Sequence, residues 1–146
     1  GCIFTKGTFV KEIPYDPNYY FYGEELSMAL RAFTRGYSFF HIPDVPLFHL
    51  YTDTSDIPRK LHWDPEDDQK RAIKWTELDH KSLNRLNDLF AGKVEEPMNL
   101  GDKRSLEEYA LISGIDLKNN VVLDIEKATE SNFLESLDWK ISPLKQ

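Results

Sequence analysis

A single cysteine, Cys2, stands in 146 residues. It excludes an internal disulfide and a cysteine-built zinc site, and nothing then demands an oxidising compartment, which points to the cytoplasm. Positive charge is also short, with 18 Lys and Arg against 25 Asp and Glu for a net charge of −7. Non-specific binding to nucleic acid or to an anionic membrane needs a basic face, so both are disfavoured. No apolar run approaches the ~20 residues of a membrane span, and no basic-then-apolar leader opens the chain. Short catalytic templates are missing too: there is no Gly-rich phosphate loop, no Gly-x-Ser-x-Gly elbow, no His-Glu-x-x-His and no EF-hand spacing. Internal repeats and low-complexity tracts are absent.

What is present suffices for a core: 40% of the residues are hydrophobic and 13% aromatic, in a chain of one-domain length. The organising stretch is Tyr22 to Tyr37. Leu26, Ala29, Leu30 and Phe33 recur at i, i+3, i+4 and i+7, one face of a helix running from about Glu24 to Arg35, and Gly36 stands where a left-handed cap is wanted. Glu24 and Glu25 fall in its first turn. The helix dipole alone accounts for acids there, yet the upstream run Pro14-Tyr15-Asp16-Pro17-Asn18-Tyr19-Tyr20-Phe21-Tyr22 can build a stiff aromatic wall around a polar site. Such a wall suits a sugar or another flat, hydroxylated ligand.

Around this centre, Cys2 to Val10 reads as two short strands turning at Lys6-Gly7, with Ile3, Phe4, Phe9 and Val10 as core candidates. Lys11 to Tyr22 reads as an ordered loop broken by Pro14 and Pro17. Tyr37 to Ile42 and Leu47 to Tyr51 read as strands, giving a mixed α/β sheet with a loop-rich edge. Thr52 to Trp63 reads as a surface loop. From Asp64-Pro65 the character turns helical: one helix to about Glu77, then a second, capped by Asp79, with Leu83, Leu86, Leu89 and Phe90 inward and Gly92 at its end. Val94 to Asp102 is linker-like. Ser105 and Glu108 have capping-box spacing on a short helix that Gly114 can close, Asn119 to Leu123 reads as a strand, and Asp124 to Gln146 as partly helical. The division expected is an α/β part over 1–63 and a helical appendix over 64–146.

His49, inside Leu47-Phe48-His49-Leu50-Tyr51, is either an ordinary strand histidine or one whose imidazole faces a cleft. A metal there needs further ligands, and none stands at metal spacing. His41 repeats the idea less attractively. His62 beside Trp63 is either a surface pair or an aromatic closure over a ligand, His80 reads as structural, and Arg59-Lys60 is either a solvated loop or a source of positive charge for a phosphate. Val121 to Glu126 is read as a strand followed by an N-cap Asp rather than a metal-binding acid pair.

Taken in order, Val10 to Pro17, Phe21 to Arg31, Thr34 to Tyr37, Pro43 through His49-Leu50-Tyr51 and Leu100 to Tyr109 resemble the second half of the polypeptide α-N-acetylglucosaminyltransferases, the group that includes the hydroxyproline GlcNAc-transferases. The resemblance spans about Phe4 to Asp116. It implies the acceptor-side, C-terminal portion of a GT-A type fold with a helical appendix. It also implies UDP-GlcNAc as donor, Mn2+ or Mg2+ as cofactor, and retaining transfer to a hydroxyl of hydroxyproline, Ser, Thr or a glycan. By position, Glu24 and Glu25 match the family's acidic catalytic motif and His49 a metal ligand; Tyr20, Tyr22, Gly23, Trp63, Arg59 and Lys60 are the expected substrate-binding residues. The nucleotide-binding half with its Asp-x-Asp motif is expected to precede Gly1, so the chain is expected to be inactive alone, a piece of a longer protein. The rival from another class is a non-catalytic module binding a glycan or peptide in the same aromatic pocket.

Overall fold

The computed structural model describes residues 3–40 and 61–129. Its centre is α2, Glu24–Thr34, which begins after Gly23 at φ +82 and ends at Arg35, with Gly36 at φ +92. Gly36 N–H donates to the Phe33 carbonyl (2.9 Å) and Tyr37 N–H to that of Ala32 (3.0 Å), the paired bonds of a Schellman cap. The expected cap is therefore present. The apolar stripe faces inward, with Leu30 and Phe33 buried and Leu26 and Ala29 half-buried, but the buried face is wider and takes in Ser27, Arg31, Ala32 and Thr34. Three of those four are polar, so hydrogen bonds as well as aliphatic contact hold the helix in place.

Three elements pack around α2. Helix α4, Trp75–Phe90, contributes Leu86 and Leu89 to a cluster with Tyr19 and Val94, with Leu26, Phe90, Met98 and Leu100 against it. Helix α1, Phe9–Glu12, places Phe9 and Ile13 on Ala32, with Met28 and Tyr37 alongside. Helix α5, Leu106–Ser113, sets Tyr109 edge-on to Phe33 at 5.3 Å, and the Arg104 guanidinium lies 4.9 Å from the centre of the same Phe33 ring. The segments on either side of Trp63 thus share one core. Remaining elements are the turn-long α3, Pro65–Asp68, the antiparallel pair β1, Ile115–Asp116, and β2, Val121–Val122, in register Ile115 to Val122 and Asp116 to Val121, and α6, Ile125–Thr129.

Several expectations are corrected. Residues 3–10 do not form strands: Ile3, Phe4 (96% exposed) and Val10 lie in solvent, and only Phe9 is buried, as part of α1. The core there has room for two apolar groups one helical turn apart, Phe9 and Ile13, and a helix supplies that spacing where a strand does not. Tyr37 to Phe40, the described part of the strand expected to reach Ile42, is irregular. Its backbone is already engaged, because Arg104 Nη1 donates to the Tyr37 carbonyl at 2.9 Å, while the Tyr37 ring packs on Phe9 and its hydroxyl donates to Glu12 at 2.6 Å. Among the described residues, β-structure is confined to the short β1–β2 pair. Helix α3 stops at Asp68 instead of continuing to Glu77, and α4 starts at Trp75, before the Asp79 cap that was expected. The Asp68 carboxylate accepts from Trp75 N–H at 2.8 Å and the Lys74 ammonium caps three carbonyls of the turn between the helices, so the break is closed by side chains. On α4, Leu83 lies at the surface and Ser82 is buried in its stead.

The local signals hold where they are self-contained. Pro65 opens α3, the Ser105–Glu108 capping box makes both of its hydrogen bonds, and Gly114 closes α5 at φ +71. Leu47 to Tyr51, most of the loop from Thr52, and the chain after Thr129 lie outside the described residues. No helix among the described residues is long and apolar enough to cross a membrane.

Candidate functional site

The loop before α2 is shaped residue by residue. Asp16-Pro17-Asn18 folds into an Asx turn in which Asp16 Oδ1 accepts from Asn18 N–H (3.0 Å) and Nδ2 (2.8 Å), with Pro17 holding the corner. Its other oxygen accepts from Arg85 Nε of α4 at 2.9 Å. Burial pushes the Asp16 carboxyl up, but the hydrogen bonds from Asn18 and Arg85 outweigh it and hold the group below its ordinary value. Further along, the buried Ser82 hydroxyl of α4 accepts from Tyr20 N–H (2.6 Å), its own proton lying within reach of the Leu78 carbonyl one turn back (3.1 Å) and the Tyr20 carbonyl (3.2 Å). Helix α4 therefore grips the loop at two points.

Between those grips and the helix lies a strained turn. Tyr22 N–H donates to the Tyr20 carbonyl at 2.6 Å, and Phe21 between them has φ +55. A three-residue turn with its centre at positive φ is the rarer, strained kind, and a bulky residue there costs about 1–2 kcal/mol. Gly23 follows, at φ +82, with the Tyr19 ring 3.1 Å from where a Cβ would stand. Glycine is required there on both counts.

The expected site residues are distributed as follows. Glu24 is half-buried in the first turn of α2, near enough to the Tyr15 phenol to shift it. Burial first, then the neighbouring Glu24 carboxylate, raise the Tyr15 phenol above its usual range, so it stays a protonated donor at neutral pH. Glu25 is exposed beside it and has an interaction of its own. Tyr22 points outward, 51% exposed. Trp63 is brought to the loop, its ring edge-on to Phe21 at 5.2 Å, and His62 sits edge-on to both Trp63 (4.7 Å) and Tyr20 (5.1 Å). The Tyr20 hydroxyl is buried, with no hydrogen-bond partner among the described residues. His49, Arg59 and Lys60 lie outside the described residues.

Sequence reasoning placed Phe21 in the aromatic wall without its strain, and missed three contributors. Phe21 has φ +55 and is 70% exposed; Ser82 and Arg85 reach the loop from far along the chain; and Arg31, 1% exposed, clamps it from below. Arg31 Nη1 donates to the Pro14 carbonyl (2.8 Å) and Nη2 to that of Pro97 (3.0 Å), tying the site loop to residues 93–101. Burial, then the neighbouring Arg35 charge, lower its pKa. Of these, only the Asp-Pro-Asn signature announces the Asx turn and hence a buried carboxylate seeking a cation. A polar helix residue such as Ser82 carries no mark of what it will touch.

Among the described residues no three His, Cys, Asp or Glu side chains gather closely enough to hold a metal ion. A recess of about 450 Å³ at α3 is lined by Asp64, Pro65, Glu66, Asp67 and Lys70. It is acidic and without an aromatic wall, a poor match for an anionic nucleotide. Set against known proteins, residues 1–120 match a family model described as Glycosyltransferase (GlcNAc). No curated protein and no solved structure matches the chain.

Proposed function

The chain belongs to the glycosyltransferase (GlcNAc) family, and we propose that Tyr15 to Glu25, with Trp63, form the acceptor side of a site that moves N-acetylglucosamine from UDP-GlcNAc to a hydroxyl. The acceptor is the hydroxyl of a hydroxyproline, Ser or Thr side chain or of a glycan. The observation that carries this reading is the half-buried Glu24 carboxylate in the first turn of α2, preceded by the exposed rings of Tyr15, Phe21 and Tyr22. Glu24 accepts the hydrogen bond of the acceptor hydroxyl and aims its lone pair. As the acceptor oxygen bonds to C1 of the sugar, the C1–O bond to UDP breaks, its electron pair leaves with the diphosphate, and the acceptor proton follows to the departing phosphate oxygen. Positive charge developing at C1 is stabilised by the carboxylates, and transfer retains the anomeric configuration.

No Asp-x-Asp pair occurs in the 146 residues, and the described residues do not fit a metal. We therefore assign nucleotide and divalent-metal binding to chain outside the described residues together with His49, and derive no step through the metal. Transfer of labelled GlcNAc to acceptor peptides by the longer protein tests the reading: Glu24→Gln should lower kcat/KM about 100-fold or more with the fold intact. Near-normal turnover in that variant would remove Glu24 from the chemistry. The 146 residues alone should bind the acceptor without transferring sugar; a chain that binds glycan in every context and never transfers is the non-catalytic module instead.

A further inference from the structure

We propose that Phe21 is the stacking platform of the site, receiving the C–H face of a pyranose ring with Trp63 behind it and the Glu24 and Glu25 carboxylates at the sugar's hydroxyl rim. The sugar class rests on the transferase reading above; the platform itself rests on geometry. A phenylalanine ring normally drives toward the core, yet this one is 70% exposed and is held there by backbone at φ +55. The only other non-glycine residue at positive φ among those described is Asn120, in the tip of the β1–β2 turn, and asparagine tolerates that conformation where phenylalanine does not.

The strain is imposed by several independent contacts. The Ser82 hydroxyl accepts from Tyr20 N–H, the short Tyr22–Tyr20 bond closes the turn, and Gly23, packed against Tyr19, starts α2 at once. Strain held this firmly, at a residue whose side chain is largely outside the core, belongs to presentation rather than stability. The Trp63 ring, edge-on at 5.2 Å, limits the directions Phe21 can take and leaves a face open. Tyr22, half exposed, follows Phe21, and Glu24 opens α2 two residues further on. An exposed aromatic disc complements the C–H face of a sugar ring, which stacks on it while its hydroxyls stay at the edge.

The test pairs two measurements on the full chain: the dissociation constant for methyl N-acetylglucosaminide by saturation-transfer NMR, and the melting temperature. Phe21→Asn removes the ring and suits the backbone, so sugar binding should weaken about tenfold or more while Tm holds or rises by about 3 °C. Phe21→Tyr keeps a ring and should restore binding to within about twofold of the parent. UDP-GlcNAc that displaces the glycoside assigns the ring to the donor sugar, and UDP-GlcNAc that leaves it bound assigns it to the acceptor. Unchanged affinity in Phe21→Asn, or no glycoside binding by the parent chain, overturns the platform. A fall in Tm with Phe21→Asn would show a packing role and overturns it as well. Transfer by the longer protein is scored separately: activity untouched by Phe21→Asn sinks the platform and leaves the transferase reading standing, while Phe21-dependent binding without transfer does the reverse.

Discussion

The two ends of helix α2 are built for opposite purposes. At its C-terminal end every polar group is turned inward: the Thr34 hydroxyl accepts from Gly101 N–H at 2.7 Å, its carbonyl takes Lys103 and Arg104 N–H, and Arg35 holds the Asn99 carbonyl and side chain, each at 2.7 Å. A Cβ on Gly101 would come within 2.6 Å of the Thr34 carbonyl, so even the space is used up. The N-terminal end has no side-chain cap, is preceded by a strained phenylalanine, and leaves Phe21 and Tyr22 in solvent. One helix thus anchors the fold at one end and leaves aromatic rings in solvent at the other, where the proposed site lies. On that proposal, stability and function share one element without competing.

The sharpest way to break this contrast is Arg31→Met, which keeps the aliphatic length but abandons the Pro14 and Pro97 carbonyls in the interior. A loss of about 3 kcal/mol is expected in urea unfolding, and a loss under about 1 kcal/mol would mean that the anchored end is held by packing alone. Next is Asp16→Asn, which removes the carboxylate that Arg85 grips; about 2 kcal/mol should go at neutral pH. The sign of its pH dependence follows from the lowered carboxyl. A group with a depressed folded pKa stabilises fully above the ordinary Asp value of about 3.9 and loses that stabilisation as pH falls through the lower folded value. The parent should therefore lose stability below about pH 4 more steeply than Asp16→Asn, as read from urea midpoints across the acid range. Smallest is Glu24→Gln, at the ligand-facing end, where unfolding should shift by less than about 0.5 kcal/mol although transfer collapses. A large destabilisation there would erase the distinction between the two ends.

What could be read from sequence follows the range of the interactions. The Ser105–Glu108 box, the Gly36 and Gly114 caps and Pro65 at a helix start are closed within a few residues, so composition announces them. The bounds of α2 were legible for the same reason. Its buried face was legible only in part: Leu30 and Phe33 follow the apolar period, but that period cannot see that Arg31 and Thr34 face inward to meet a carbonyl and an amide some sixty residues on, or that Ser27 is buried on the Glu24 carbonyl of its own helix. Phe4 and Val10 misled in the other direction: β-prone side chains read as a strand, but no ladder partner and no core surface awaits them. Of the candidate site, the aromatic wall and its acidic neighbour were visible in the residues, whereas the turn that throws Phe21 outward depends on Ser82 and could only be seen in three dimensions.

The Ser82 hydroxyl has a practical consequence for anyone dividing the gene. A piece ended at Trp63 would encode Tyr15, Phe21, Glu24, Glu25 and Trp63 together, and on paper would contain the whole ligand-facing surface. It would lack the hydroxyl oxygen that accepts from Tyr20 N–H, and with it Arg85, the counterion of Asp16. Such a piece would spell the site and still not shape it, so the shortest useful expression boundary lies beyond the end of α4 at Phe90.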